Sequence, residues 1–249
     1  MKPRSDKELA LMRESGRISA HALKKVIQSI KVGVNCLELE KIAEEEIKNL
    51  GGKSAFKEVP GYKWTTCITI NDQVVHGIPV DREIQKGDLV SVDLGTIYKS
   101  WYTDCAWSVV VDGDSETEEF NNVGKQALKE GIKQAVAGNR IGDISEAIQK
   151  RVEGAGYSVV RSLVGHGVGR KLHEDPEVPG FGKKGQGFQL QEGWSLAIEV
   201  IYTKGKPGVV TESDGWTIAS EDGSLGGLFE MTVVVGKKEA KVLTDWRKV

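Results

Sequence analysis

Four acidic residues lie in segments whose apolar composition is typical of buried β-strands. They are Asp93, Asp104, Glu199 and Glu230. A buried carboxylate is destabilising unless a positive charge compensates it, because it has lost its hydration. A divalent cation can compensate several carboxylates at once, so this set of residues favours a metal site. The competing interpretation is that each acid lies on the solvated face of a half-exposed strand, which would explain one such acid more readily than four.

The spacing of Asp93 and Asp104 predicts that these two acids meet. Segments 88–97 and 101–111 both have strand-like composition, and a turn near 98–99 would join them as an antiparallel hairpin. In this register the two acids are directly opposed, and the Cβ atoms of opposed residues lie roughly 4.5–5.5 Å apart. Two like charges at that separation destabilise a sheet unless a cation lies between them. The hairpin therefore predicts that one or two divalent ions contact both acids.

The strand neighbours of Asp93 and Glu199 leave space for a ligand. Alternation along a strand puts small residues on the same face as each acid, namely Ser91, Gly95, Ser195 and Ala197. It puts apolar residues on the opposite face, namely Val90, Val92, Leu94, Trp194, Leu196 and Ile198. Each acid is therefore predicted to face an open space while its strand packs into a core through the other face.

Three of the four histidines lie in turns bracketed by glycine or proline. His166 lies within the glycine-rich run 165–169, whose glycines leave it uncrowded, while His173 precedes a proline and His76 directly precedes a glycine. One imidazole with four carboxylates suits Mn²⁺, Fe²⁺, Co²⁺ or Zn²⁺. A pair of such ions can activate a water molecule and polarise a carbonyl group. The fourth histidine, His21, falls in a helical segment, and we expect it to be structural or at the surface.

The elements that carry these residues are predicted in the order two helices, then strands, and then the same again. Ser5 and Glu8 form a capping box at the start of the first helix. Helical segments are predicted over 9–30, from Asn35 to Leu50, from about Ser115 to Val136, and from Asp143 to Val152. Strand-like segments cover 67–70, 88–97, 101–111, 158–164, 194–202 and 229–235. This order indicates an α+β protein.

The two halves of the sequence, about 1–113 and 114–249, also resemble each other. The residues in equivalent contexts are Asp93 and Glu199, Asp104 and Glu230, and His76 and His166. Their common order predicts a duplicated α+β unit, with both halves forming one catalytic domain over 1–249. The alternative is a chance similarity between strands of similar composition.

Composition argues against several classes of function. The chain of 249 residues carries 34 basic and 36 acidic residues, a formal net charge of −2, so no basic excess indicates binding to DNA or to an anionic membrane. Its apolar runs are too short to cross a bilayer, and the N-terminal region lacks the apolar core of a signal peptide. Cys36, Cys67 and Cys105 are odd in number and widely spaced, which indicates free thiols in a reducing, cytoplasmic compartment.

Across nearly the whole chain, these residues and their neighbours resemble the methionine aminopeptidases of type I. The matching motifs are Ile70-Asn71-Asp72-Gln73-Val74-Val75-His76-Gly77-Ile78-Pro79, Val92-Asp93, Thr103-Asp104, Gly165-His166-Gly167-Val168-Gly169, His173-Glu174, Ile198-Glu199 and Phe229-Glu230, with Trp216 preceding the last of them. The resemblance implies the pita-bread fold, an α+β arrangement in which two pseudo-twofold-related halves surround a central antiparallel sheet.

For the metal centre, the resemblance implies two divalent ions, with Co, Mn, Fe or Zn as candidates. Their ligands would be Asp93, Asp104, His166, Glu199 and Glu230. Asp104 and Glu230 would bridge the two ions, and the other three residues would each contact one of them.

For catalysis, the resemblance implies roles for Glu199, His173 and His76. Glu199 would accept a proton from the attacking water, His173 would hydrogen-bond the scissile carbonyl or its oxyanion, and His76 would contact the scissile amide nitrogen. The methionine side chain would lie among Tyr62, Cys67, Leu172 and Trp216. We expect Cys67 to act there as a small buried apolar residue rather than as a nucleophile.

The implied reaction is removal of the initiator methionine from proteins and peptides with a small second residue. The implied partners are nascent polypeptide N-termini, with the ribosome as a further candidate, and we expect a monomer. Two alternatives share the fold. A proline-specific relative, prolidase or aminopeptidase P, is expected to carry a further N-terminal domain, and a non-enzymatic binding scaffold is expected to have lost metal ligands. The sequence departs from the family pattern at 62–67, Leu172 and 226–231, which border the predicted pocket and the last ligand.

Overall fold

Four helices account for the helical segments predicted from periodicity, and the computed structural model describes all residues 1–249. The helices are α1 (Asp6–Ser29), α2 (Cys36–Asn49), α3 (Ser115–Gln134) and α4 (Ile141–Glu153). Short 3₁₀ turns cover Phe56–Glu58 and Trp246–Lys248. None of the helices combines the length and the apolar character needed to cross a membrane.

The starts of three helices are fixed by side-chain caps. Ser5, Asn35 and Asp114 each accept a backbone N–H from the first turn of α1, α2 and α3. These bonds satisfy donors that the start of a helix leaves without an intrahelical partner. The predicted capping box of Ser5 and Glu8 is confirmed.

Thirteen strands form two antiparallel sheets. They are β1 (Lys53–Ser54), β2 (Thr66–Ile70), β3 (Gln73–Val75), β4 (Leu89–Tyr98), β5 (Trp101–Val110), β6 (Ser158–Val159), β7 (Gly165–Gly167), β8 (Glu174–Val178), β9 (Ser195–Thr203), β10 (Val209–Thr211), β11 (Ile218–Ser220), β12 (Gly226–Val234) and β13 (Lys241–Val242). The main sheet follows the path β1-β4-β5-β12-β9-β7-β8, and β2, β6 and β13 pair with β4, β9 and β12. The small sheet has the order β10-β11-β3.

The hairpin of β4 and β5 forms, but its register differs from the prediction. Its turn lies at Lys99 and Ser100, with φ values of 47° and 64°, as a two-residue type I′ turn requires. Asp93 consequently pairs with Ala106, and the prediction that Asp93 lies directly opposite Asp104 is wrong. The turn was misplaced because neither of its residues is the Gly or Asn that usually marks such turns. The shift is two positions, so both acids still share one face.

The helices pack on one face of the main sheet, and the predicted ligands lie on the other. Apolar residues of β4, β5, β9 and β12 join residues of all four helices in one core cluster. Helix α1 packs on β4 and β5, and α3 packs on β9 and β12. Phe120 of α3 stacks on Tyr202 of β9 with ring centroids 4.4 Å apart. Two similar helix-and-strand units thus meet at the central pair of β5 and β12, as the repeated order of elements predicts.

One strand is shorter than the sequence predicts. Segment 158–164 has strand-like composition, but β6 ends at Val159. Val160 still donates a hydrogen bond to the Ile201 carbonyl, and residues 162–164 then leave the sheet to line a cavity. Leu163 and Val164 are half-buried beside the cavity rather than paired in the sheet, and composition alone does not distinguish these two environments.

Candidate active site

Three of the predicted ligands lie in one row across the middle of the main sheet. Asp93 of β4 pairs with Ala106 of β5. Ala106 pairs in turn with Glu230 of β12, which pairs with Glu199 of β9. Residues paired across antiparallel strands project to the same face. The small, fully buried Ala106 leaves space between the carboxylates of Asp93 and Glu230.

Asp104 adds a fourth carboxylate from the same face of β5. The Thr232 hydroxyl accepts the Asp104 N–H and donates to the Asp104 carbonyl oxygen, both at 2.8 Å. One carboxylate oxygen of Asp104 accepts the Cys105 N–H at 3.0 Å. One ligand atom from each of Asp104, His166 and Glu230 lies within 4.8 Å of the other two. These three residues therefore form a group that could hold a metal ion.

His166 completes the cluster from β7, where it pairs with Ala197 of β9. Its Nδ1 lies 2.9 Å from the Gly167 carbonyl oxygen. A carbonyl oxygen only accepts, so Nδ1 carries the proton, and Nε2, 3.4 Å from Oε1 of Glu199, has the free lone pair. Burial and the neighbouring His173 lower the pKa of His166 from 6.5 to about 4. The imidazole is therefore neutral near pH 7 and able to bind a metal ion.

Asp93, Asp104 and Glu230 are buried and Glu199 is half-buried, with 13% of its side chain exposed, and none of the four forms an ion pair with a lysine or arginine. Burial raises the pKa of Asp93, Glu199 and Glu230 well above the usual range, and the charge of Asp104 raises each of them further. Burial also raises the pKa of Asp104 itself, to about 7. Without a cation, this cluster therefore favours bound protons over four negative charges.

Two buried oxygens of the cluster have no hydrogen-bond partner, Oδ1 of Asp93 and Oε1 of Glu230. Unpaired buried polar atoms are rare in folded proteins. These two lie beside the Asp104 carboxylate and the neutral His166 imidazole. Carboxylate oxygens with one imidazole nitrogen form a donor set that first-row divalent ions accept. The residues present therefore fit a divalent metal centre.

The two further histidines predicted for catalysis, His76 and His173, line the same cavity. The His173 ring lies edge-on to the His166 ring, with centroids 4.4 Å apart. Both side chains are accessible to solvent within the cleft, yet its walls exclude enough water to lower the pKa of each. The proximity of His173 lowers the pKa of His76 further. Both imidazoles are therefore neutral near pH 7, with one donor and one acceptor nitrogen.

A largely apolar pocket adjoins the carboxylates within a cavity of about 790 Å³. The wall of the cavity includes all the residues predicted to contact a methionine side chain, Tyr62, Cys67, Leu172 and Trp216. The Tyr62 ring lies edge-on to Trp216 at 5.0 Å, and its hydroxyl lies 3.2 Å from Cys67 Sγ. Cys67 pairs with Asp93 across β2 and β4, which places the pocket beside the row of ligands. Burial raises the pKa of Cys67, so its thiol stays protonated.

Some residues of the cavity wall were not predicted from the sequence. Ile201 and Leu228 lie two positions from Glu199 and Glu230, and strand alternation would have placed them on the ligand face, where they line the cavity. Phe56 also lines it, but from a 3₁₀ turn that has no periodicity to reveal it. His21 lies on α1 and is not part of the cavity wall.

Comparison with known proteins identifies close relatives over almost the full length. Residues 10–237 match the model of metallopeptidase family M24. The chain is 40% identical to the methionine aminopeptidase of Clostridium perfringens over 242 residues, which cover 97% of each chain. It is 38% identical to methionine aminopeptidase 1 of Bacillus subtilis, over 97% of this chain and 98% of that one.

Solved structures agree with the sequence relatives. The crystal structure of methionine aminopeptidase from Thermotoga maritima matches with a TM-score of 0.96 at 39% identity, covering 98% of this chain and 99% of that one. The prolidase from Pyrococcus furiosus matches with a TM-score of 0.79 at 23% identity, covering 97% of this chain and 65% of that one, which shows a shared fold alone. The predicted α+β pita-bread fold is confirmed. The chain belongs to metallopeptidase family M24 and, within it, to the methionine aminopeptidases.

Proposed function

We propose that the protein removes the N-terminal methionine from polypeptides by metal-dependent hydrolysis. The observation that carries this proposal is the apolar pocket of Tyr62, Cys67 and Trp216 directly beside the buried carboxylates. A methionine side chain in this pocket brings its own peptide bond next to the ligand cluster. The thioether makes favourable contacts with aromatic rings, and burying a side chain of this size contributes roughly 1.5–3 kcal/mol to binding.

We further propose that two divalent ions are bound by five residues, Asp93, Asp104, His166, Glu199 and Glu230. Asp104 and Glu230 suit the shared positions because they come from the two central strands, with Asp93 on one side and His166 and Glu199 on the other. Co, Mn, Fe and Zn all accept this donor set. When bound, such ions supply a nucleophilic water near neutral pH and polarise the scissile carbonyl.

The roles of the protein side chains follow from their protonation. Glu199 accepts the proton of the attacking water, because its carboxylate lies in the cavity wall beside the ligand cluster, within reach of a water at the scissile bond. His173 donates a hydrogen bond to the scissile carbonyl oxygen as its negative charge develops. His76 contacts the scissile amide nitrogen. Because the pKa of each of these histidines is lowered, both work as neutral hydrogen-bonding groups.

The site beyond the scissile bond is proposed to accept only a small second residue. One of its walls is β7, which carries His166 and lies tight against β9. A Cβ atom on Gly165 would lie 2.6 Å from the Ala197 carbonyl oxygen, so this wall cannot move back towards β9 to admit a long side chain. Overpacking against such a wall costs roughly 1–3 kcal/mol.

The proposed partners are the N-termini of nascent polypeptides, met as they leave the ribosome. We propose that the chain acts as one catalytic domain, because the halves 1–113 and 114–249 each supply ligands to one cluster. We also propose that it acts as a monomer. Cys36, Cys67 and Cys105 are free, buried thiols, which suits a reducing cytoplasm. Co-sedimentation with ribosomes, and sedimentation of the protein alone, test the ribosome contact and the monomeric state.

The reaction is tested with purified protein and two classes of peptide. We expect release of methionine from Met-Ala-Ser, abolished by a chelator and restored by added Co²⁺, Mn²⁺, Fe²⁺ or Zn²⁺, and much slower hydrolysis of Ala-Pro and other Xaa-Pro peptides. Faster cleavage of the Xaa-Pro peptides would favour a proline-specific enzyme. Undiminished release of methionine after complete removal of metal would contradict the proposal.

A further inference from the structure

Arg4 lies behind the loop that carries His173, although the two residues are far apart in sequence. The Arg4 side chain is only 10% exposed and forms an ion pair with Glu174, whose side chain is 17% exposed. An ion pair so shielded from water differs from ordinary surface pairs, which contribute little. Removing one partner leaves the other charge buried without compensation, which is strongly destabilising locally.

The Arg4 guanidinium contacts three separate segments at once. Its Nε donates to the Ser195 hydroxyl at 3.1 Å, at the start of β9. Its Nη2 donates to the Val168 carbonyl at 3.3 Å, just beyond β7, and to the Glu174 carboxylate at the start of β8. Ser195 also donates to the same Val168 carbonyl at 2.5 Å. Arg4 therefore holds β9, the end of β7 and the start of β8 in one arrangement.

Glu174 connects Arg4 to the loop that carries His173. Its second carboxylate oxygen, Oε1, accepts the backbone N–H groups of Arg170 and Lys171 at 2.5 and 3.1 Å. These bonds close a turn over residues 170–174. Leu172 and His173 lie within this turn, between the donors Arg170 and Lys171 and the acceptor Glu174. The positions of Leu172 in the pocket and of His173 therefore depend on the orientation of the Glu174 carboxylate, which Arg4 fixes through its ion pair.

The glycine-rich run provides the space for this contact. A Cβ atom on Gly169 would clash with the Arg4 guanidinium. A Cβ atom on Gly167 would lie 2.8 Å from the Glu174 carbonyl oxygen and 2.7 Å from that of Asp175. Both glycines therefore allow the Arg4 side chain and the start of β8 to pack directly against the backbone beside His166.

Trp101 completes the packing from the start of β5, the strand that carries Asp104. The Trp101 ring is fully buried, and the guanidinium carbons of Arg170 and Arg4 lie 4.1 and 5.3 Å from its centroid, within the range of cation–π attraction. The backbone N–H of Tyr102 donates to the Gly169 carbonyl at 2.8 Å. The loop is thereby tied to the metal-ligand strand as well as to Arg4.

We infer that Arg4 is a positioning residue for the reaction, which acts by orienting the His173 loop through Glu174. Arg4 precedes the segment 10–237 that matches the family model, and it does not line the cavity. The inference rests on the proposed role of His173. A misplacement of about 1 Å at a catalytic group can cost roughly 100-fold in rate, so a loosened loop has a measurable effect even when the protein stays folded and binds metal.

The test compares Arg4→Met with the matched control Arg17→Met in the metal-loaded full-length protein. Arg17 also forms an ion pair, with Glu14, but on the more exposed surface of α1. For Arg4→Met we expect kcat on Met-Ala-Ser to fall roughly 10- to 100-fold, with metal content unchanged. A smaller rise in KM is expected as well, because Leu172 of the methionine pocket lies on the same turn. Arg17→Met should match the wild type. A kcat for Arg4→Met equal to that of Arg17→Met, or a parallel loss of metal, overturns the inference.

A conservative variant keeps the test decisive if Arg4→Met folds poorly. Arg4→Lys retains the charge opposite Glu174 but cannot reach all three acceptors in one geometry, so its kcat should lie between those of the wild type and Arg4→Met. A kcat for Arg4→Lys equal to that of Arg17→Met overturns the inference. Combining Arg4→Met with Glu174→Gln should add little to the loss caused by Arg4→Met alone, because the two residues act as one unit.

A physical readout separates positioning from general destabilisation. Amide hydrogen exchange followed by mass spectrometry should show faster exchange confined to about 168–174 in Arg4→Met, and no change there in Arg17→Met. Unchanged exchange in this segment contradicts the mechanism. His173→Ala belongs in the same series. If it retains normal kcat, the proposed role of His173 fails, whereas if it loses activity while Arg4→Met does not, only the positioning role of Arg4 fails.

Discussion

The metal-free protein is predicted to lose stability as the pH rises from about 6.5 to about 8. Burial raises the pKa of Asp93, Glu199 and Glu230 well above the usual range, and that of Asp104 to about 7. In the unfolded chain these groups titrate near pH 4. In this interval the folded state therefore binds protons that the unfolded state does not. The free energy of unfolding falls as the pH rises and those protons are lost.

The expected size of the effect follows from the same pKa shifts. A carboxyl with a folded pKa of about 7, as for Asp104, contributes a loss of about 1 kcal/mol over this interval. Each further carboxyl that keeps its proton at pH 8 contributes up to about 2 kcal/mol, because one pH unit corresponds to about 1.4 kcal/mol per proton. The acids interact and do not titrate independently, so the expected total is at least about 2 kcal/mol and at most about 7 kcal/mol.

Other shifted groups contribute less over this interval. The pKa values of His76, His166 and His173 are lowered in the folded state, and their effect on stability has the opposite sign. It increases with pH until the unfolded histidines are deprotonated, about one pH unit above their pKa of about 6.5, so the three together offset at most roughly 1 kcal/mol of the loss. The buried cysteine thiols begin to matter only near their unfolded pKa of about 8.5.

The assay is urea unfolding at constant temperature of protein stripped with a chelator, at several pH values across the interval. Metal-saturated protein is the control and should show little dependence on pH, since the cation replaces the protons. Glu230→Gln, which removes one of the shifted carboxyls, should make the metal-free curve less steep. A free energy of unfolding of the metal-free wild type that stays constant or rises between about pH 6.5 and 8 would refute the electrostatic argument.

Three further predictions concern the reaction itself. Asp104→Asn should abolish turnover, because a neutral amide bridges two cations poorly, and a near-normal kcat at saturating metal would count against the ligand assignment. His173→Ala should lower kcat by about 10²–10³-fold, as removal of one oxyanion donor does, and a parallel fall in metal content would instead make His173 a ligand. The kcat/KM for Met-Lys-Ser should be roughly 5- to 150-fold below that for Met-Ala-Ser, which corresponds to an overpacking cost of about 1–3 kcal/mol. Comparable values for the two peptides would contradict the tight second site.

The features predicted correctly from the sequence depend on short-range rules. Ser5 and Asn35 mark helix starts because their side chains bond to N–H groups two or three residues away. The shared face of Asp93, Glu199 and Glu230 follows from strand alternation, which holds wherever the opposite face of a strand is buried. For this reason, predicting the turn at 98–99 instead of 99–100 changed which residue lies opposite Asp93 but left all the acids on the cavity side.

The features that were missed depend on contacts between distant segments. Arg4 contacts Val168 across 164 positions, and no local pattern near Arg4 indicates a partner there. Phe56 reaches the cavity from a 3₁₀ turn, where its position depends on packing over Gly95: a Cβ atom on Gly95 would lie 3.0 Å from the Phe56 ring. Neither contact leaves a periodic signal, because periodicity reports which face of an element is buried and not what covers it.

The sequence predicts that the glycines around His166 leave its imidazole uncrowded. In the structure each glycine accommodates a different neighbour, namely the Ala197 carbonyl at Gly165, the start of β8 at Gly167 and the Arg4 guanidinium at Gly169. The missing side chains thus allow three other segments to pack against the backbone beside one imidazole. A substitution at Gly169 should therefore resemble the loss of Arg4 more closely than the loss of a metal ligand, because it displaces the support of the His173 loop and leaves His166 in place.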